Sequence, residues 1–158
     1  MSPIETAELS GEKFFQDLPA RMLARLATAA RIVEFPADQR IFRESGRAER
    51  FWLIRKGRVA LDLHVPGRGA VIVETLPPGA VLGWSWLFPP HEWRLGAVVI
   101  DGPVRAVEFD ARLVRTFGVA DPALGLELYQ RFSAVLVERL QATRMRLLDL
   151  YHAEDRGR

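Results

Sequence analysis

The stretch from Gly83 to Gly96 reads Gly-Trp-Ser-Trp-Leu-Phe-Pro-Pro-His-Glu-Trp-Arg-Leu-Gly and carries most of the chain's chemical potential. It opens on a glycine, places an arginine eleven residues later, and is flanked by short β-like runs. Glycine lets a backbone approach a ligand closely. Arginine presents a rigid fork of donors matched to phosphate or carboxylate. The layout is that of an anion cradle between two strands, with Gly83, Trp84, Ser85, Trp86, Arg94, Leu95 and Gly96 as candidate ligand-binding residues. Arg94 has a competing role as the partner of an acid such as Glu92. The rings of Trp84, Trp86 and Trp93 fit two readings: an aromatic box around a flat ligand, or a plug made of the protein's own core.

Other chemistries find no residues. There is no Cys, which excludes disulfides, iron–sulfur clusters and thiol catalysis. The three His, at 64, 91 and 152, have no second His three or four residues away, so no metal site is expected. His91 stands alone in its loop. No paired carboxylates or nucleophile–base pair can be picked out, so the chain is not expected to be an enzyme.

The elements that must position the cradle follow from periodicity. With 158 residues, 49% hydrophobic and 27% charged, a single domain over 1–158 is expected. Phe14, Phe15, Leu18, Met22, Leu23, Leu26 and Ala29 repeat at helical spacing, giving N-terminal helices over 1–34, with Asp17 and Pro19 as a start signal. Ala27–Ala30 then runs into a β-like Arg31–Phe35.

Short β-like runs fill 35–109. They are Ile41-Phe42, Phe51–Ile54 stopped at Gly57, Val59–Val65, Val71–Leu76, Val81-Leu82, Leu95–Ile100 and Val104–Phe109. Turns at Pro66–Gly69, Pro77–Gly79 and Asp101–Pro103 separate them. The fold class is mostly β with flanking helices, an eight-stranded β-roll or jelly roll.

Helices return over 110–151, with Asp121-Pro122 supplying cap and first-turn chemistry. Leu136, Leu140, Thr143, Leu147 and Leu150 step by 4, 3, 4 and 3, an a/d seam that either packs on the barrel or joins two copies of the chain. Residues 152–158 read as a frayed polar tail.

This order of elements resembles the cyclic-nucleotide-binding domain of the Crp/Fnr (catabolite activator) family over about residues 12–151. The resemblance rests on Ile41-Phe42-Arg43-Glu44, on the aromatic strand Phe51–Gly57, and on Pro78-Gly79-Ala80-Val81-Leu82-Gly83. It implies a β-roll and a C-terminal dimerisation helix. It also implies a phosphate-binding cassette of Gly-Glu, several residues, then Arg, Ser or Thr, and Ala.

Gly83 and Arg94 fit that pattern. Trp84 stands where the family has Glu, Leu95 where it has Ser or Thr, and Gly96 where it has Ala. Arg139-Leu140-Gln141-Ala142-Thr143 resembles the segment that faces the base, which makes Arg139 and Thr143 candidate ligand contacts. Indole cannot accept a bond from a ribose hydroxyl. The unpaired hydroxyl costs about 1–3 kcal/mol, and a lost bond to a charged phosphate about 1.5–3 kcal/mol more. Ordinary cyclic AMP is therefore expected to bind weakly.

These readings converge on a non-catalytic sensory or regulatory domain taking a cyclic nucleotide or another anionic aromatic molecule. The alternatives are a degenerate domain serving as a dimeric protein–protein interaction module, or a remnant of a Crp/Fnr-like transcription regulator. A homodimer is expected, and a protein partner is possible. The net charge is +2, and all but Lys13 and Lys56 of the 22 basic residues are Arg. Seven residues after Tyr151 leave no room for a helix-turn-helix, so DNA binding by this chain is not expected. No segment has the run of about 18 apolar residues that spans a membrane, and no signal peptide is read, so a cytoplasmic location is expected.

Overall fold

The computed structural model describes residues 2–157. Two long strands dominate it, β4 (Arg50–Val65) and β7 (Gly96–Asp110), paired antiparallel from Arg50↔Asp110 to Asp62↔Gly96. Each absorbs two of the short runs expected from the sequence. Gly57 does not stop the strand. It sits at φ +82° at the irregular pairing between Ile54 and Val59, and a Cβ there would meet the backbone oxygens of Asp101 and Pro103 at 2.6 and 2.8 Å. It is the bend that curls the sheet, in the way bulges and glycines generally re-aim strands.

The remaining strands are β1 (Ser2–Pro3), β2 (Ala30–Phe35), β3 (Arg40–Phe42), β5 (Gly69–Leu76) and β6 (Val81–Leu82). They form one seven-stranded sheet in the order β1-β2-β7-β4-β5, with β3 on β7 and β6 on β4. Fusion of neighbouring runs takes the eight expected strands, Arg31–Phe35 included, to six, and the short β1 makes seven.

The N-terminal helical region is shorter than its periodicity implies. It holds α1 (Thr6–Ser10), a 3₁₀ turn at Lys13–Phe15 and α2 (Ala20–Ala27). Asp17 has φ +65° and caps nothing, and Pro19 is itself the N-cap. The expected helix to residue 34 is replaced from Ala30 by β2, because Ile32, Val33 and their neighbours zip along β7 from Ala30↔Phe109 to Phe35↔Val104. β-branched side chains favour that pleated surface.

At the other end, Asp110 caps α3 (Ala111–Ala120) by accepting from Arg112 and Leu113 N–H, and Asp121 caps α4 (Pro122–Arg156) by accepting from Leu124 N–H. The tail expected to fray from His152 is helical to Arg156.

One aromatic cluster joins helices to barrel. Phe51 stacks on Trp86 and Phe109 at 4.8 and 4.6 Å, and Phe132 of α4 meets Phe51 and Trp86 edge-on, each at 5.2 Å. Leu124, Leu128 and Phe132 bury the first three turns of α4. From Gln141 onward every described residue of the helix is exposed.

Candidate functional site

Gly83 follows β6, which is pinned to β4 through Trp52↔Leu82 and Leu53↔Val81. Its φ of +94° turns the chain into a 3₁₀ turn at Ser85–Leu87. A Cβ on Gly83 would lie 2.9 Å from the Trp93 ring, so glycine is required both for the turn and for the ring's approach.

Trp93 is held in place by its own backbone. Its N–H donates to the Gly46 carbonyl and its carbonyl accepts from Ser45 N–H, both at 2.8 Å. The ring stacks on Phe42 at 3.9 Å and lies 6.0 Å from Trp52. Trp52 is fixed in turn by donating from Nε1 to Glu108 at 2.9 Å. A second aromatic cluster therefore fills the barrel behind the cradle. The space left among Gly83, Trp84, Ser85, Arg94, Leu95 and Arg139, with Phe42, Leu61 and Trp93 behind them, is about 20 Å³. That is room for about one water, where small-molecule sites enclose roughly 300–1,000 Å³.

The sequence candidates do not all meet there. Trp86 is fully buried in the helix-side cluster and does not line the cavity, because its ring packs on Phe51 and its carbonyl takes a 2.8 Å bond from Arg115. An aromatic box of all three Trp therefore does not form. Trp84 is half-buried against Phe88, and Leu95 is half-buried beside it. Arg94 is exposed on the rim, and among the described residues no carboxylate pairs with it, Glu92 included.

Gly96 faces away from the cavity. Its bare Cα makes room for a buried fork in which Arg40 donates to both oxygens of Asp62 at 2.9 and 2.6 Å. These bonds hold the Asp62 carboxyl below its usual range and raise the Arg40 guanidinium.

Arg139 is buried. It donates to the Val81 carbonyl, and its Nε lies 3.8 Å from Glu74. Burial pushes its pKa down, with Glu74 only partly offsetting that. Thr143 is exposed and spends its hydroxyl on the Arg139 carbonyl at 2.8 Å, one turn back in its own helix, so it does not face the cavity. His91 is a loop residue at φ +57° whose backbone bonds Phe88 and Ala48, and burial lowers its pKa.

Sequence reasoning missed Phe42 and Leu61 as lining residues and the Arg40–Asp62 fork altogether. Phe42 belongs to a segment that carries the family resemblance but not as a lining residue, and Leu61 carries no motif. Only an acid in a mostly apolar β-run, Asp62, marked the fork.

The cyclic nucleotide-binding domain profile matches residues 32–118, more than half of the chain. The chain belongs to this family. A CRP-like cAMP-activated global transcriptional regulator of Mycobacterium tuberculosis is 27% identical over 144 residues, which cover 91% of this chain and 62% of that protein. The chain thus spans less than two thirds of this relative's length.

Among solved structures, a Geobacter metallireducens protein assigned as cyclic nucleotide-binding superposes with TM-score 0.78 at 27% identity, over 87% of this chain and 98% of that one. The Thermus thermophilus catabolite activator protein superposes with TM-score 0.64 at 19% identity, over 87% and 62%, a likeness of fold. In this cyclic nucleotide-binding domain the Trp93 ring lies against Gly83, and Arg94 stands exposed at the rim. No helix among the described residues is long and apolar enough to cross a membrane.

Proposed function

We propose that this is a non-catalytic regulatory domain of cyclic nucleotide-binding type whose ordinary nucleotide site is filled by its own side chains. The observation that carries this reading is the cavity of about 20 Å³ left behind Gly83 and Arg94 by the stacked Trp93 and Phe42 rings. A nucleotide entering there must displace a ring held by two backbone hydrogen bonds, and it finds Trp84 and Leu95 where an acceptor and a hydroxyl would be needed. Isothermal titration with cyclic AMP tests it: no saturable heat is expected up to about 100 μM. A sub-micromolar dissociation constant overturns it.

A second element of the reading concerns assembly. The distal half of α4 projects with Leu140, Leu147 and Leu150 at 50%, 54% and 65% exposure, so the seam does not pack on its own barrel. In this reading two copies join along it and the domain acts through that pairing in the cytoplasm. Sequence-selective DNA binding is not part of the reading.

A further inference from the structure

On the far side of Arg139 from the filled cavity lies an open groove of about 620 Å³, between α4, the 3₁₀ turn at Lys13–Phe15 and the Pro77–Gly79 turn. Its size falls in the range of small-molecule sites, roughly 300–1,000 Å³. Its floor is apolar, made by Phe14, Leu76, Val81 and Val135. Arg131, Val135 and Arg139 follow at i, i+4 and i+8, so they share one helix face, and the Cα atoms of the two arginines stand about 12 Å apart along the axis.

Both cations are incompletely satisfied. Arg131 bonds the Phe14 carbonyl and Glu127, yet its buried Nε has no partner among the described residues. Arg139 is shared between a neutral carbonyl and a carboxylate 3.8 Å from its Nε. A buried guanidinium normally collects paired, hydrogen-bonded counter-charge. Lys13 adds a third positive charge at the exposed mouth, against Glu74 and Glu138.

We propose that this groove is a binding site for a small amphipathic organic anion, its anionic head on Arg139 and its apolar body on the floor between Phe14 and Val135. The site is separate from the nucleotide pocket and does not depend on whether that pocket opens. Only Arg139 borders both. The anion supplies the counter-charge that Glu74 supplies incompletely. The floor has no polar side chain to reward a polar body.

The probe is decanoate, with decanol as its uncharged counterpart, titrated into the wild-type chain by calorimetry. Decanoate should bind with saturation and at least tenfold more tightly than decanol. Arg139→Gln should weaken decanoate at least tenfold and leave decanol unchanged.

Ala142→Trp, at an exposed position on the groove wall, should abolish both without loss of helical circular dichroism. Val135→Trp should do the same from the floor, and the first variant carries the test if the second does not fold. Absence of saturable decanoate binding overturns the proposal. So does equal affinity for decanol, or binding indifferent to Arg139→Gln and Ala142→Trp. Cyclic AMP added as a competitor separates the two sites: cyclic AMP binding that leaves decanoate affinity intact refutes the filled-pocket reading alone.

Discussion

Replacing Trp84 by Glu and Leu95 by Ser returns an acceptor and a hydroxyl to the cradle, yet it leaves the Trp93 ring against Gly83. The space there admits about one water, so the double variant should still fail to bind cyclic AMP. Adding Trp93→Ala removes the ring stacked on Phe42 and should produce measurable affinity by titration, with the exposed Arg94 able to swing to a phosphate. The same change costs about 3–5 kcal/mol of stability, as large-to-small aromatic truncations in cores do, so a thermal scan must accompany it. A double variant that binds as well as the triple refutes the role given to Trp93.

Gly96 makes a different residue-scale prediction. Gly96→Ala drives a Cβ into the Arg40–Asp62 fork and should be destabilising in urea titration by about 1–3 kcal/mol, the usual penalty for overpacking. The fork also sets an acid limb. The folded pKa of Asp62 lies below its usual value of 3.8, so its stabilisation is present above that value and lost as pH falls through the folded one. Asp62→Asn should flatten the loss of stability below about pH 4, where the wild type keeps falling.

At the scale of elements, α3 and α4 cross at two glycines. A Cβ on Gly118 would sit 3.3 Å from the Gly125 Cα, and one on Gly125 would sit 3.0 Å from the Gly118 carbonyl oxygen. Gly125→Val should push the helices apart and loosen the turns that bury Leu124, Leu128 and Phe132. A fall in the urea midpoint equivalent to about 1–3 kcal/mol is expected, against no change if the crossing has slack. The existence of α4 was legible in Asp121-Pro122 and the leucine spacing, and the β-roll in the turn signals at Pro66–Gly69 and Pro77–Gly79.

Two features were not legible. The fusion of short runs into β4 and β7 depends on tertiary pairing around Gly57, which reads locally as a stop. The other is where the N-terminal helices end: Arg31–Phe35 reads as β-like and is β2, yet the helical spacing runs on to Ala29, past the end of α2 at Ala27. The cradle shows the same division. Gly83 and Arg94 stood out from their spacing, whereas the partition of Trp84, Trp86 and Trp93 among surface, helix-side core and pocket could not be read from one run of residues. Which ring turns which way depends on Phe42, Phe51 and Phe132, remote in the chain.

At the scale of the whole molecule, the distal half of α4 is a lever whose side chains from Gln141 onward are exposed among the described residues. Arg139 and Arg146 tie the helix to the barrel through the Val81 and Val73 carbonyls. The adjoining seam of Leu140, Leu147 and Leu150 remains largely in solvent. Each such Leu contributes roughly 1.5–3 kcal/mol if fully buried against a partner, and a helix already anchored at Phe132 loses less freedom on pairing than an isolated peptide does. Two copies related by a two-fold axis would bury the seam isologously.

Replacing Leu140 and Leu147 with Glu then places like charges across the axis, at positions the folded monomer leaves half exposed. The expected outcome is a wild-type dimer and a variant monomer in sedimentation velocity at about 20 μM, with unchanged circular dichroism and only a small change in unfolding midpoint. A monomeric wild type at that concentration would leave the seam without a partner and remove the dimer from the functional reading. A variant that stays dimeric would move the interface elsewhere, with the exposed β5 residues Ile72 and Val73 as the next apolar surface to probe.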